Sequence, residues 1–278
     1  MNKLYLNLAM LVLYSLLQIG LPMRAQAAQK LAMEPLNIGI SFVLESQILG
    51  EPRRINLYFP QAYFEQSSQR FPVLYMPDGG LKEDFLHIAG LVQIGSLNWT
   101  TRPFILVGIE NTDRKRDLTG PTTNEEDKKI SALVGGSAQF RAFIRNELIP
   151  AVEEHFRTTQ ERAIVGESLA GLFVVETMLA EPDLFSAYIA VDPSLWWNNA
   201  ALVDNAATQA LQHNRQQVRV HLAASKQEGI VEPTRQLAQI LNTSPHFHAS
   251  YSEFPNETHL SIYHPAALEA FRKVFARE

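Results

Sequence analysis

The chain has 278 residues, with 24 Lys plus Arg against 29 Asp plus Glu, and no cysteine. The missing thiols exclude a disulfide framework, Cys-ligated zinc, iron–sulfur clusters and a cysteine nucleophile. A net charge of −5 with a pI near 5.9 lacks the basic face that a nucleic-acid binder needs, and 46% hydrophobic against 19% charged residues is the balance of a folded, globular chain.

In chain order, the first segment reads as a cleavable export signal spanning 1–27. Lys3 gives a short basic start, Leu4 to Ile19 is almost wholly apolar, Pro22 breaks the run, and Ala25-Gln26-Ala27 supplies the small-x-small pattern that signal peptidase reads. The apolar run is about 16 residues, short of the roughly 20 needed to span a bilayer. The expectation is therefore a periplasmic or secreted protein cut after Ala27, with no stable membrane anchor, whose residues 28–278 form one domain. Such a chain would sit in an oxidising space without disulfides and rely on its core.

Gly39 to Glu45 and Arg53 to Pro60 read as an antiparallel strand pair joined by a Gly50-Glu51-Pro52 turn. Pro72 to Met76, Phe104 to Ile109, Ala163 to Val165, Tyr188 to Val191 and Val218 to Ala223 are short strands too apolar to have a wet face, as in a parallel sheet covered on both sides. Phe247 to Phe254 is the last strand. Helical patterns fall between them: Lys82 to Leu97, Ala138 to His155, Leu169 to Ala180, Glu232 to Leu241 and Pro265 to Phe275. Strand–helix–strand alternation predicts a mostly parallel α/β sheet of about eight strands. Asn111 to Ser137 is polar, charged and long for a connector, which marks a functional or mobile loop.

The most informative stretch is Ala163-Ile164-Val165-Gly166-Glu167-Ser168-Leu169-Ala170-Gly171. A buried strand ends, a serine follows two residues after a glycine, and a long apolar helix begins at once. That is the nucleophile elbow, a sharp strand-to-helix turn that lifts a serine hydroxyl above the sheet and tolerates only small residues on either side. The amide of Leu169, at the helix N-terminus, then faces a developing oxyanion. The simpler alternative is a helix-capping serine.

Ser168 with Gly166 and Gly171, then Glu181-Pro182-Asp183-Leu184-Phe185, then Asp192-Pro193-Ser194-Leu195-Trp196-Trp197-Asn198, resembles the esterase D-like esterase family of the α/β-hydrolase superfamily. Within it the chain is most similar to the branch with periplasmic siderophore (enterobactin-type trilactone) esterases. Leu74 to Gly80 and Val107 to Thr119 match further blocks of that branch in the same order. The resemblance implies an α/β-hydrolase fold, a serine esterase activity and a small-molecule ester substrate, with no cofactor. It also implies that a Ser–His dyad serves in some members. Two positions depart from the family: Glu167 stands where it usually has His, and Ala170 where it usually has Gly.

A serine hydroxyl needs a base, and in this fold the chain order is Ser, acid, His. His87 and His155 precede Ser168, His213 lies on a helical segment and His221 inside a strand. His246 and His248 flank the start of the last strand. His259 stands in the loop after it, where the family's histidine falls, and His264 is the rival at the start of the final helix. The acid is sought after Val218 to Ala223, where Glu228 is the candidate and Glu232 the alternative. Gly79 and Gly80 are the candidates for the second oxyanion donor, since glycine lets a backbone turn its N–H inward. Arg114 and Arg116 are candidates for a substrate-facing rim. Trp196 and Trp197 would stack on an aromatic acyl group or pack beneath the rim. No metal is expected, because His246-Phe247-His248 has no third ligand nearby. The expected activity is hydrolysis of carboxylic esters through an acyl-enzyme. The alternatives are acyl transfer through the same intermediate, or a non-catalytic binding protein that keeps the fold.

Overall fold

A computed structural model describes residues 33–211 and 218–277. The export-signal expectation (1–27) and His213 lie outside the described residues. One compact unit, Ile38–Glu278, carries everything that follows. Among the described residues no helix is long and apolar enough to cross a membrane.

Eight strands form one sheet: β1 (Ile40–Ser46), β2 (Glu51–Tyr58), β3 (Phe71–Pro77), β4 (Ile105–Ile109), β5 (Thr158–Glu167), β6 (Ala187–Val191), β7 (Val218–Ser225) and β8 (Phe247–Phe254). Their order is β1-β2-β4-β3-β5-β6-β7-β8. β1–β2 and β2–β4 are antiparallel and the remaining neighbours parallel. The antiparallel start and the parallel remainder are as the apolar patterns predict. The first turn is shifted: Glu51 and Pro52 already pair with Ser46 and Glu45, and Gly50 (φ 67°) takes the left-handed position of the turn before them.

Successive residues of a strand point to opposite faces, and here both faces are packed. In β3, Val73 and Tyr75 join the core layer containing Phe140, Phe143 and Phe173, while Leu74 and Met76 join the layer containing Ile88, Phe104 and Phe271. The helices Leu169–Ala180 and Phe85–Leu97 thus lie on opposite sides of the sheet. This double burial leaves the ends of the strands as the place where polar side chains gather, and in an open α/β sheet ligands bind at the carboxyl ends.

Two segments differ from their sequence patterns. The helix expected over 138–155 contains a π-helical stretch, Ile144–Leu148, where the Ile149 N–H reaches Ile144 O, immediately before Pro150. Proline has no N–H to continue an α-helical ladder, and a widened turn accommodates it. The stretch 111–137 is folded rather than open. It holds the short helices Arg114–Leu118 and Glu125–Ile130, capped by Asp113 and Asn124 side chains that accept the N–H groups of Arg116 (3.0 Å) and Glu126 (2.9 Å).

Candidate active site

β5 ends at Glu167, and the helix Leu169–Ala180 starts one residue after Ser168. Between them Ser168 holds φ 61°, ψ −120°, a conformation that costs an L-residue of order 1–3 kcal/mol. Three main-chain bonds hold it: Ser168 N–H to Val191 O (3.0 Å), and Leu172 N–H (2.9 Å) and Ser194 N–H (3.1 Å) to Ser168 O. A methyl group on Gly166 would meet Ala170 O at 2.4 Å. The expected requirement for small residues around the serine is therefore steric and local.

Ser168 Oγ is 3.0 Å from His259 Nε2, and His259 Nδ1 is 3.0 Å from Asp192 Oδ2. Asp192 is fully buried. Its carboxylate also accepts the N–H (2.5 Å) and the hydroxyl (2.6 Å) of Ser225. A carboxylate can only accept, so Nδ1 carries the proton and Nε2 is the free base facing the serine. His259 sits in the loop after β8. That loop is tied down by Thr258 N–H to Ser261 Oγ (3.0 Å) and by Lys226 N–H to Glu257 O (3.2 Å).

The acid facing His259 is thus Asp192, not Glu228 or Glu232. Glu228 is exposed and borders the cleft, and Glu232 is exposed and pairs with Arg235. Sheet register explains the difference. β6 lies between β5 and β7, and Glu167 pairs with Val191, so Ser168 and Asp192 are the next residues beyond two adjacent strand ends. A residue after β7 is one strand further from the serine, and Ser225, the last residue of β7, donates to Asp192. The signal was present in the sequence: Asp192 directly follows an apolar strand and keeps the order Ser, acid, His.

The glycine expectation is also corrected. Gly79 N–H donates to Ile109 O (2.9 Å) and Gly80 N–H to Glu83 Oε2 (2.7 Å), so neither is free for an oxyanion. Gly79 is glycine because a Cβ would come within 2.3 Å of Gly108 Cα and Ile109 N. Leu169 begins the helix, where the first N–H groups have no intrahelical acceptor.

Of the rim candidates, the structure brings two to the serine's surroundings. Arg114 grips Asp78 with two bonds, Nε to Oδ1 (2.7 Å) and Nη2 to Oδ2 (2.8 Å), and its charge acts on His259 and Glu167. Trp196, 39% exposed, borders the cleft of about 380 Å³ that holds Ser168, His259, Ile230 and Leu260. Arg116 is elsewhere, bound to Glu51 and Asp117. Trp197 is buried and donates its indole N–H to Gly120 O (2.9 Å), so it packs beneath the rim.

The electrostatics favour a strong base. The hydrogen bond that His259 donates to Asp192 raises the His259 pKa against the opposing effect of burial, and the Glu167 charge raises it further. Glu167 itself is pushed up to about 7 by burial, against the pull of His259 and Arg114. Sequence reasoning noted Glu167 as a departure, but not that Oε1 lies 3.3 Å from His259 Nε2.

The family described as "Putative esterase" matches residues 46–266. Ferri-bacillibactin esterase BesA of Bacillus subtilis is 28% identical over 221 residues, covering 69% of this chain and 74% of that protein. The siderophore triacetylfusarinine C esterase of Aspergillus fumigatus is 29% identical over 192 residues, covering 62% of this chain and 61% of its own length, so the chain spans less than two thirds of that relative. An IroE-like serine hydrolase from Shewanella oneidensis superposes with a TM-score of 0.76 at 28% identity, covering 85% of this chain and 80% of that one. With this match over most of its length and this sheet order, the chain belongs to that esterase family and is a carboxylic ester hydrolase of α/β-hydrolase fold.

Proposed function

We propose that the protein is a serine esterase working through an acyl-enzyme on Ser168. His259 Nε2 takes the hydroxyl proton as Ser168 Oγ attacks the ester carbonyl, and Asp192 holds the imidazole in the required tautomer and stabilises the imidazolium. The Leu169 N–H, at the positive end of its helix, is the oxyanion donor. The tetrahedral intermediate collapses as Nε2 returns the proton to the leaving alkoxide, and water then repeats the sequence to release the acid. What supports this most is the unbroken chain Ser168 Oγ–His259 Nε2, His259 Nδ1–Asp192 Oδ2, at 3.0 Å each.

For the substrate we propose a siderophore lactone, since relatives at 28–29% identity are named a ferri-bacillibactin esterase and a siderophore triacetylfusarinine C esterase. Trp196 at the cleft mouth offers an aromatic face to an acyl group. The N-terminal segment 1–27 would send the chain to the periplasm or out of the cell before it acts. The test is labelling at Ser168 by a fluorophosphonate, followed by a panel of catechol trilactones against plain p-nitrophenyl esters. Absence of labelling, with Ser168→Ala as active as the parent, rejects the serine mechanism. Equal turnover of lactones and plain esters rejects the siderophore assignment.

A further inference from the structure

Glu167 stands one residue before the nucleophile, and the acyl-transfer chemistry gives its carboxyl no part. Oε1 lies 3.3 Å from His259 Nε2, the nitrogen that also meets Ser168 Oγ at 3.0 Å. Oε1 is closed off from solvent and has no hydrogen-bond partner. A buried carboxyl oxygen without a donor is costly, and Nε2 becomes a donor within reach once it carries a proton. At present the distance suits an ion pair, but the geometry is not that of a hydrogen bond.

We propose that Glu167 is a positioning residue for His259. It accepts a hydrogen bond from Nε2–H between the removal of the proton from Ser168 and its delivery to the leaving alkoxide, and so sets how readily the imidazole becomes a free base. The inference rests on the Ser168–His259 reading above. In the forward step the Oγ–carbon bond forms, the carbonyl π pair moves onto oxygen, and the hydroxyl proton passes to Nε2. A small turn of the ring then directs Nε2–H towards Oε1. On collapse the carbon–oxygen bond to the leaving group breaks, and the same proton moves from Nε2 to that oxygen. In its ionised form Glu167 stabilises the imidazolium and takes no proton from it over the cycle.

The groups that face Glu167 come from several elements. Burial disfavours its charged form most. His259 from the loop after β8 and Arg114 from its short helix favour that form, while Asp192 after β6 and Asp78 after β3 oppose it. The buried phenol of Tyr263, on the final helix Tyr263–Val274, feels the same carboxylate, and Asp84 adds its field to Tyr263 and Arg114. The sign follows. With its pKa pushed up to about 7, Glu167 is ionised at and above neutral pH. There it favours the imidazolium, so its presence demands a higher pH to free the base, and its removal moves the upper part of the acid limb to lower pH. A unit charge at about 4 Å is worth about fivefold even at the dielectric of water.

The test compares kcat/KM against pH for the full chain, Glu167→Gln and Glu167→Asp, using p-nitrophenyl butyrate. The pH dependence of fluorophosphonate labelling at Ser168 is measured in parallel. Glu167→Gln is expected to shift the upper part of the acid limb to lower pH in both assays, with activity near neutral pH raised by up to about fivefold relative to its own plateau. Glu167→Asp, which keeps a charge, is expected to return the profile towards the parent. Superimposable normalised profiles for the parent and Glu167→Gln, or a shift to higher pH, overturn the proposal and leave the serine mechanism standing. Should Glu167→Gln not fold, Glu167→Ala removes the same charge and an unshifted profile overturns the proposal equally. A parent chain that is not labelled at Ser168 overturns the underlying mechanism instead.

Discussion

Replacing Asp192 by Asn separates the tertiary assignment of the acid from every sequence-based alternative. The carboxylate accepts three bonds: the Ser225 N–H at 2.5 Å, the Ser225 hydroxyl at 2.6 Å and His259 Nδ1–H at 3.0 Å. An Asn side chain has one carbonyl oxygen, which the Ser225 amide claims. Its NH₂ then points at His259 Nδ1, so the ring takes the other tautomer and presents Nε2–H to Ser168. A base that already holds its proton cannot deprotonate the serine. In the serine-protease template this change costs about 10⁴-fold in kcat, or about 5.4 kcal/mol of transition-state stabilisation. The same magnitude is expected here because Asp192 is fully buried. Losing one acceptor for a buried donor adds a stability cost of about 1–3 kcal/mol. The assay is kcat/KM on a p-nitrophenyl ester for Asp192→Asn and Glu228→Gln side by side, with folding checked by urea titration. Glu228 is exposed and makes no bond to His259, so its variant should stay within about threefold of the parent. A 10³-fold loss in Glu228→Gln, or less than tenfold in Asp192→Asn, would refute the assignment.

Three further outcomes are expected. Asp117→Ala strips the fully buried Arg53 of one of its two carboxylates and leaves Glu51 at 2.6 Å, and chemical denaturation should show a loss of about 1.5–3 kcal/mol, with Ser168 labelling of the folded fraction retained. Trp197→Ala should cost about 3–5 kcal/mol of stability because the ring is core, whereas Trp196→Ala should change KM for aromatic esters and leave the urea midpoint nearly unmoved. His221 is buried with its pKa lowered from 6.5 to about 4, chiefly by desolvation. The unfolded chain therefore binds more protons below pH 6.5, stability falls as pH drops from about 6.5 to about 4, and the group accounts for about 3 kcal/mol of that fall. Melting of His221→Asn across that window should show a visibly flatter slope, and an unchanged slope would contradict it.

The strand and helix patterns were legible because burial on both faces of a parallel strand demands near-continuous apolar runs, and these stand out at Ala163 to Val165 and Tyr188 to Val191. The elbow was legible for a related reason. Its strain is local, so Gly166, Ser168 and Ala170 had to be contiguous in the chain. The stretch 111–137 reads as a loop, and its two short helices, capped by Asp113 and Asn124, emerge only in the fold.

What sequence alone determined, then, is the fold class, together with the two segments that carry Ser168 and His259, the proposed nucleophile and base, each written into neighbouring residues. Which carboxylate faces His259 was decided only by the sheet, because the order β5-β6-β7 brings Asp192 beside Ser168 and leaves Glu228 at the cleft rim. The engagement of the Gly79 and Gly80 amides and the burial of Trp197 were settled in the same way, by partners far along the chain or across a loop. The approach of Glu167 to His259 spans 92 positions, and no spacing rule reaches that far. Contacts between distant segments follow from strand order and register, which emerge only when the whole chain packs.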